Sequence, residues 1–164
     1  CEAIKKTTGN DAKKALAAYV PKDIADGASA GEPKKLIAQA EKLVLSKKWK
    51  EAADKLRRVV QMTPADINTR LNLAWVLREI GDRLGSELQV FLAAGLLSQK
   101  NYSFQLLAPS VEGNYVLGRL AILVGNIEYA RKFIEPVLEV NPDHRDAKRA
   151  MQEIRALETA AKGK

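Results

Sequence analysis

With one cysteine and one histidine in 164 residues, the chain has few ways to build a nucleophile or a metal site. Cys1 has no base close to it in sequence, so nucleophilic catalysis through its thiol finds no activating partner. His144 stands between Asp143 and Arg145, with no nearby cysteine to share a zinc ion. A solvated position in the first turn of a helix is the expectation for it. Carboxylate pairs occur at Asp23/Asp26 and Glu153/Glu158, on polar stretches that read as ordinary surface. The sequence contains no Walker-type phosphate loop, no G-x-S-x-G elbow and no H-E-x-x-H pair. These residues predict a protein that is not an enzyme and that needs no cofactor or metal.

Charge and lipid chemistry are better represented. Lys47, Lys48, Lys50, Lys55, Arg57 and Arg58 surround Trp49, a pattern that could meet RNA or phosphate. Glu51 and Asp54 interrupt the run, and a solvated helix face is the plainer account of it. The formal charge of +7 suits an anionic membrane surface, nucleic acid, an acidic protein, or solubility alone. A cysteine at position 1 followed by the polar stretch 2–10 matches the acylated start and short tether of a bacterial lipoprotein. The expectation is therefore a lipid attachment at Cys1 and an envelope location facing the periplasm. The alternative is a cytoplasmic protein in which the cysteine has no such role. No stretch reaches the roughly 18 consecutive apolar residues needed to span a bilayer.

The elements that must position these groups are helical. Aromatic residues make up 5% of a chain rich in Ala, Leu, Lys and Glu, which favours helix over sheet. A short amphipathic helix is expected over 11–20, with Leu16, Tyr19 and Val20 inward, followed by a linker to about 32. Pro33 suits the first turn of a helix over 34–45, with Leu36, Ile37, Ala40, Leu43 and Val44 on one face. Ser46 is read as a cap before a helix over 48–62, which Thr63-Pro64 ends. Asp66 is the expected cap of a helix over 67–80, stopped at Gly81-Asp82. The helix over 83–97 is apolar on nearly every side (Val90, Phe91, Leu92, Leu96, Leu97), which predicts burial all round. Residues 98–108 break the rhythm. Further helices follow over 111–124, over 127–140 with Asn126 as cap, and from an Asp143 cap to about 160.

A repeat underlies this order. Ala40 and Ala74 lie 34 residues apart, Gly81 and Gly125 lie 44 apart, and Pro64 and Pro142 lie 78 apart. These separations are one period of 34, one period plus ten, and two periods plus ten. The ten extra residues therefore fall between Gly81 and Leu117, at the 98–108 segment. Leu73-Ala74 and Leu117-Gly118 each precede a Gly by seven residues, and Ala52/Pro64 recur as Ala130/Pro142. A small residue permits close helix approach, and the later Gly can adopt the left-handed conformation that ends a helix.

On these marks the chain resembles the tetratricopeptide repeat (TPR) family over about 33–142. The third unit carries the most (Leu117-Gly118, Gly125, Tyr129-Ala130, Pro142), and the second departs from the pattern with Ser86 and no closing Pro. The resemblance implies an all-α fold of about three helix–turn–helix units. An N-terminal extension (1–32) and a C-terminal capping helix (143–164) would flank them. It also implies a non-catalytic scaffold or adaptor binding another protein or peptide in a concave groove; neither nucleic acid nor a small-molecule substrate is the expected partner.

Mapped onto this chain, the groove positions are Lys34, Ile37, Glu41 and Val44, then Asn68, Leu71, Trp75, Arg78 and Glu79, then Tyr115, Arg119 and Ile122. Residues 68, 71, 75 and 78 share one helical stripe, which agrees with that mapping. Trp75 with Arg78, and Tyr115 with Arg119, are the residue types enriched at binding hot spots. The other account of Trp75 places it under the N-terminal segment or the 98–108 insertion. Asn72 suits the second-unit asparagine of the carboxylate clamp that some family members use for chaperone tails. Glu41, Glu112 and Val116 stand where that clamp needs an Asn and a basic pair, so a carboxylate-ended partner is not expected.

Overall fold

The computed structural model describes residues 31–97 and 104–163. Among them are seven α-helices and no strand. These are α1 Glu32–Leu45, α2 Trp49–Met62, α3 Ile67–Ile80, α4 Arg83–Leu96, α5 Val111–Leu123, α6 Ile127–Val140 and α7 Arg145–Lys162. The expected helix over 11–20 and Cys1 lie outside the described residues. Consecutive helices pair as hairpins (α1 with α2, α3 with α4, α5 with α6), and α7 packs on α5 and α6. The fold is the all-α helix–turn–helix repeat of TPR type.

Each hairpin turns by the same local device. The first helix ends with a residue in the left-handed region: Lys47 at φ 58°, Gly81 at 94° and Gly125 at 77°. Two backbone bonds close each turn. Lys48 N–H donates to Leu43 C=O, Asp82 N–H to Leu77 C=O and Asn126 N–H to Ala121 C=O, at 2.8–2.9 Å. The residue at the left-handed position donates in turn to the carbonyl three residues before it. This arrangement satisfies carbonyls that the helix end would otherwise leave unpaired. Gly is suited to that conformation at two turns, and Lys47 adopts it without that advantage. Ser46 is therefore the residue after α1 and not a cap of α2, whose N-cap, Lys48, makes no side-chain bond.

The chain divides into two compact units between Ala108 and Pro109. In the first, α3 packs against both α2 and α4. Ala40, Ala52, Ala53, Ala74 and Ala93 are fully buried where helices meet closely, with Leu56, Val59, Val76 and Val90 filling between them. In the second, Gly118 faces Ile134, and a Cβ added there would lie only 2.4 Å from its Cδ1. The missing side chain lets α5 and α6 approach. Ala121, Ala130, Ile134, Val137, Ala147, Ala150, Met151 and Ile154 complete that core.

The helix buried all round is α3 and not α4. Every residue from Thr69 to Leu77 is buried, whereas Leu84 and Leu88 on α4 are 86% and 54% exposed. The apolar look of α4 comes from Val90, Ala93 and Leu96 facing inward, with Phe91 and Leu92 half-buried on its flanks. Asn72 and Arg70 on α3, which read as polar, are enclosed because each finds hydrogen-bond partners.

Candidate peptide groove

The predicted stripe on α3 lies in the first unit. Asp66 caps the helix, its carboxylate accepting from Asn68 N–H at 3.1 Å and from the Thr69 hydroxyl at 2.6 Å. That cap fixes where the stripe begins. Asn68 is exposed and Arg78 is half-buried, while Leu71 and Trp75 are each only 1% exposed. Trp75 packs edge-on against Trp49 of α2, with ring centroids 5.9 Å apart, and its indole N–H donates to Glu79 at 3.1 Å. Its buried surface is spent on the repeat core, so it offers no face to a partner. Leu71 is likewise a packing residue.

Asn72 is the polar centre of this face. Its Nδ2 donates to Asn68 C=O at 2.9 Å and to Gln105 C=O at 3.2 Å. Its Oδ1 accepts from Leu107 N–H at 2.8 Å. Residues 105–107, at the end of the segment that breaks the repeat, thus lie against α3 and are held there by their backbone. A groove of about 340 Å³ remains between α1 and α3, bounded by Ile37, Glu41, Asn68, Thr69 and Asn72 on one side and by Gln105, Leu106 and Leu107 on the other. Glu41 is exposed at its rim, and Lys34 on the same stripe of α1 is exposed too.

Arg70, on the far side of α3, is buried without a carboxylate partner among its bonds. Its Nε donates to Pro64 C=O at 2.9 Å and its Nη1 to the Gln89 side chain at 2.8 Å. Burial pulls its pKa below the ordinary guanidinium value. It ties the turn between hairpins to α4.

Tyr115 and Arg119 lie in the second unit, on α5. Tyr115 is buried and stacks on His144, with centroids 5.5 Å apart and planes 28° apart. Arg119 Nη1 donates to both oxygens of Glu153 on α7, at 3.0 and 3.1 Å. Both residues therefore serve the packing of α7. His144 corrects two expectations. It is 9% exposed and not solvated, and it, not Asp143, caps α7 by accepting Ala147 N–H on Nδ1 at 3.1 Å. With Nδ1 as acceptor the ring carries its proton on Nε2, which donates to Glu112 at 2.6 Å. Glu158, read as plain surface, is held by a fork from Arg131 at 2.8 Å. Hydrogen bonds from Arg131 to Glu135 and Glu158 raise its pKa further.

Within the basic strip, Arg57 pairs with Asp54 at 3.2 Å and Arg58 with Glu32 at 2.7 Å. Two of its six cations are thus compensated locally. Among the described residues no group of three His, Cys, Asp or Glu could hold a metal ion, and no helix is long and apolar enough to cross a membrane.

The geometry defines a helical-repeat fold of TPR type with a groove in its first unit. Comparison with protein-family models and with curated proteins finds no match. Among solved structures the chain is similar to the first TPR of Spaghetti (RPAP3) bound to the HSP90 peptide SRMEEVD. That likeness has 20% identity and a TM-score of 0.45, over 81% of this chain and 95% of the other.

Proposed function

We propose that the chain is a non-catalytic interaction scaffold whose first-unit groove takes a segment of another protein. The observation that carries this reading is the groove itself. An apolar wall (Ile37, Leu56) and a buried side-chain amide (Asn72), already bonded to the backbone of Gln105 and Leu107, converge between α1 and α3. That pairing suits a peptide, whose backbone needs polar partners and whose side chains need apolar ones. Glu41 at the rim sets the groove against a terminal carboxylate, so an internal segment fits it better than a chain end. Selection from a library of 12-residue peptides tests the reading. Selected peptides should lose at least tenfold in affinity for an Asn68→Glu variant, which changes an exposed rim residue. Equal affinity for that variant would move the contact surface elsewhere.

The finer reading places this scaffold at a bacterial envelope, held by acyl chains on Cys1 and serving the assembly of a membrane, secretion or pilus complex. It is supported by the sole thiol preceding the polar stretch 2–10 and by the net charge of +7, which would strengthen attachment to anionic lipid. The intact mass of the product extracted from source-cell membranes tests it. A mass excess of acyl chains on Cys1 supports the anchor, and an unmodified Cys1 removes it and leaves a soluble adaptor.

A further inference from the structure

Asn72 treats the chain 33 and 35 residues further on as a ligand. A primary amide that donates to the carbonyl of one residue and accepts from the N–H two residues later reads a backbone, with no demand on the side chains. Main-chain pairing of this kind supplies affinity, while the neighbouring walls select side chains. Residues 104–106 have no helical or strand structure of their own; Gln105 is exposed, and Leu106 and Leu107 are half-buried at the groove wall. Among the contacts that hold the segment are two backbone hydrogen bonds to Asn72 and the partial cover of two leucines. The helices of the same unit, by contrast, bury whole faces. A hold through the backbone is specific in position, and it lacks the interlocked side-chain faces by which the helices are fixed.

We propose that residues 105–107 are a resident, displaceable occupant of the groove, and that binding in trans proceeds by exchange of this segment for an extended one. The proposal rests on reading that groove as the contact surface. The incoming segment presents a backbone C=O and N–H to Asn72 and apolar side chains where Leu106 and Leu107 now lie. Glu41 and Asp66 line the same groove, so an acidic segment is disfavoured. Residues 105–107, which fall in the excess over the repeat period, thus act as an internal competitor. A tethered segment acts at a high effective concentration, which sets the threshold an external partner must exceed.

The test uses a fluorescein-labelled peptide with the sequence of residues 104–110, blocked at both ends, and fluorescence anisotropy. Three forms of the 164-residue chain are compared: the unchanged chain, a chain carrying Gln105→Gly, Leu106→Ser and Leu107→Gly, and that chain with Asn72→Ala added. The substituted chain should bind the peptide at least tenfold more tightly than the unchanged one, and adding Asn72→Ala should abolish the gain. A substituted chain of unchanged helicity that binds no more tightly overturns the proposal. If library-selected peptides bind the unchanged and substituted chains equally through Asn68, the contact surface stands and the competitor role falls. If neither chain binds any peptide, both readings fall. Should the substituted chain not fold, amide exchange of residues 104–108 in the unchanged chain decides. Excess peptide should accelerate it, and an unaltered rate overturns the proposal.

Discussion

The same stripe of a first helix is covered in two ways in the two units. In the first unit, the stripe of α3 is met by irregular chain that Asn72 holds through its backbone. In the second, positions 44 residues further on (Glu112, Tyr115 and Arg119) are met by a whole helix, α7. There the contacts are side chain to side chain: His144 between Glu112 and Tyr115, and Glu153 on Arg119. Backbone contact can pass to another segment of similar shape, whereas interlocking side chains fit only their own partner. The difference assigns exchange to the first unit and closure to the second. It also explains why residues assigned to a groove by repeat position, helical stripe and type are here divided between core, lock and rim.

The comparison can be broken most strongly at Trp75. If its ring belongs to the core of the first unit, Trp75→Ala should cost about 3–5 kcal/mol, read from urea unfolding. Both tryptophans lie in that unit, so the fluorescence of Trp49 follows its unfolding. A loss below about 1 kcal/mol would return Trp75 to the role of a surface contact. His144→Ala removes a cap, a carboxylate partner and a stacked ring at once, and should destabilise the second unit by about 2 kcal/mol. His144→Asn keeps a capping acceptor and should recover roughly half of that loss, as read by amide exchange in α7. Asn72→Ala should cost about 1 kcal/mol and free residues 105–107 without loosening α3. The smallest effect has the opposite sign. Lys47→Gly should stabilise the first unit by about 0.5–1 kcal/mol, because Lys47 holds the left-handed conformation that Gly81 and Gly125 occupy in the other turns. A destabilised Lys47→Gly chain would mean that its side chain contributes a contact outweighing the backbone cost.

The repeat was legible because its marks act locally. Gly81, Gly125, Pro64 and Pro142 bear on the few residues around them, and the helices from α3 to α6 begin and end within a residue of their expected bounds. The first turn shows the limit, since Lys47 does the work of a glycine without looking like one and Ser46 attracted the reading of a cap. The site was less legible because its bonds span distance in sequence. His144 finds Glu112 32 residues away, and Asn72 finds a backbone, which has no residue signature at all. One signal was present: His144 follows Asp66 by 78 residues, as Pro142 follows Pro64, so it occupies the repeat's capping position. The nine consecutive buried residues on α3 are legible only in part: the account that sets Trp75 under the 98–108 insertion names chain that does reach this helix, but not the bonds of Asn72 that hold it.

The most direct measurement compares two backbone N–H groups, each held by a side chain: Leu107 by Asn72 and Ala147 by His144. Residue-resolved hydrogen exchange of the unchanged chain reads both. An exchangeable groove occupant and a locked helix predict that Leu107 exchanges by local opening, roughly a hundredfold or more faster than Ala147. Asn72→Ala should accelerate Leu107 and leave Ala147 as it was. Equal rates at the two amides, or a Leu107 that exchanges only with global unfolding of its unit, would contradict the account.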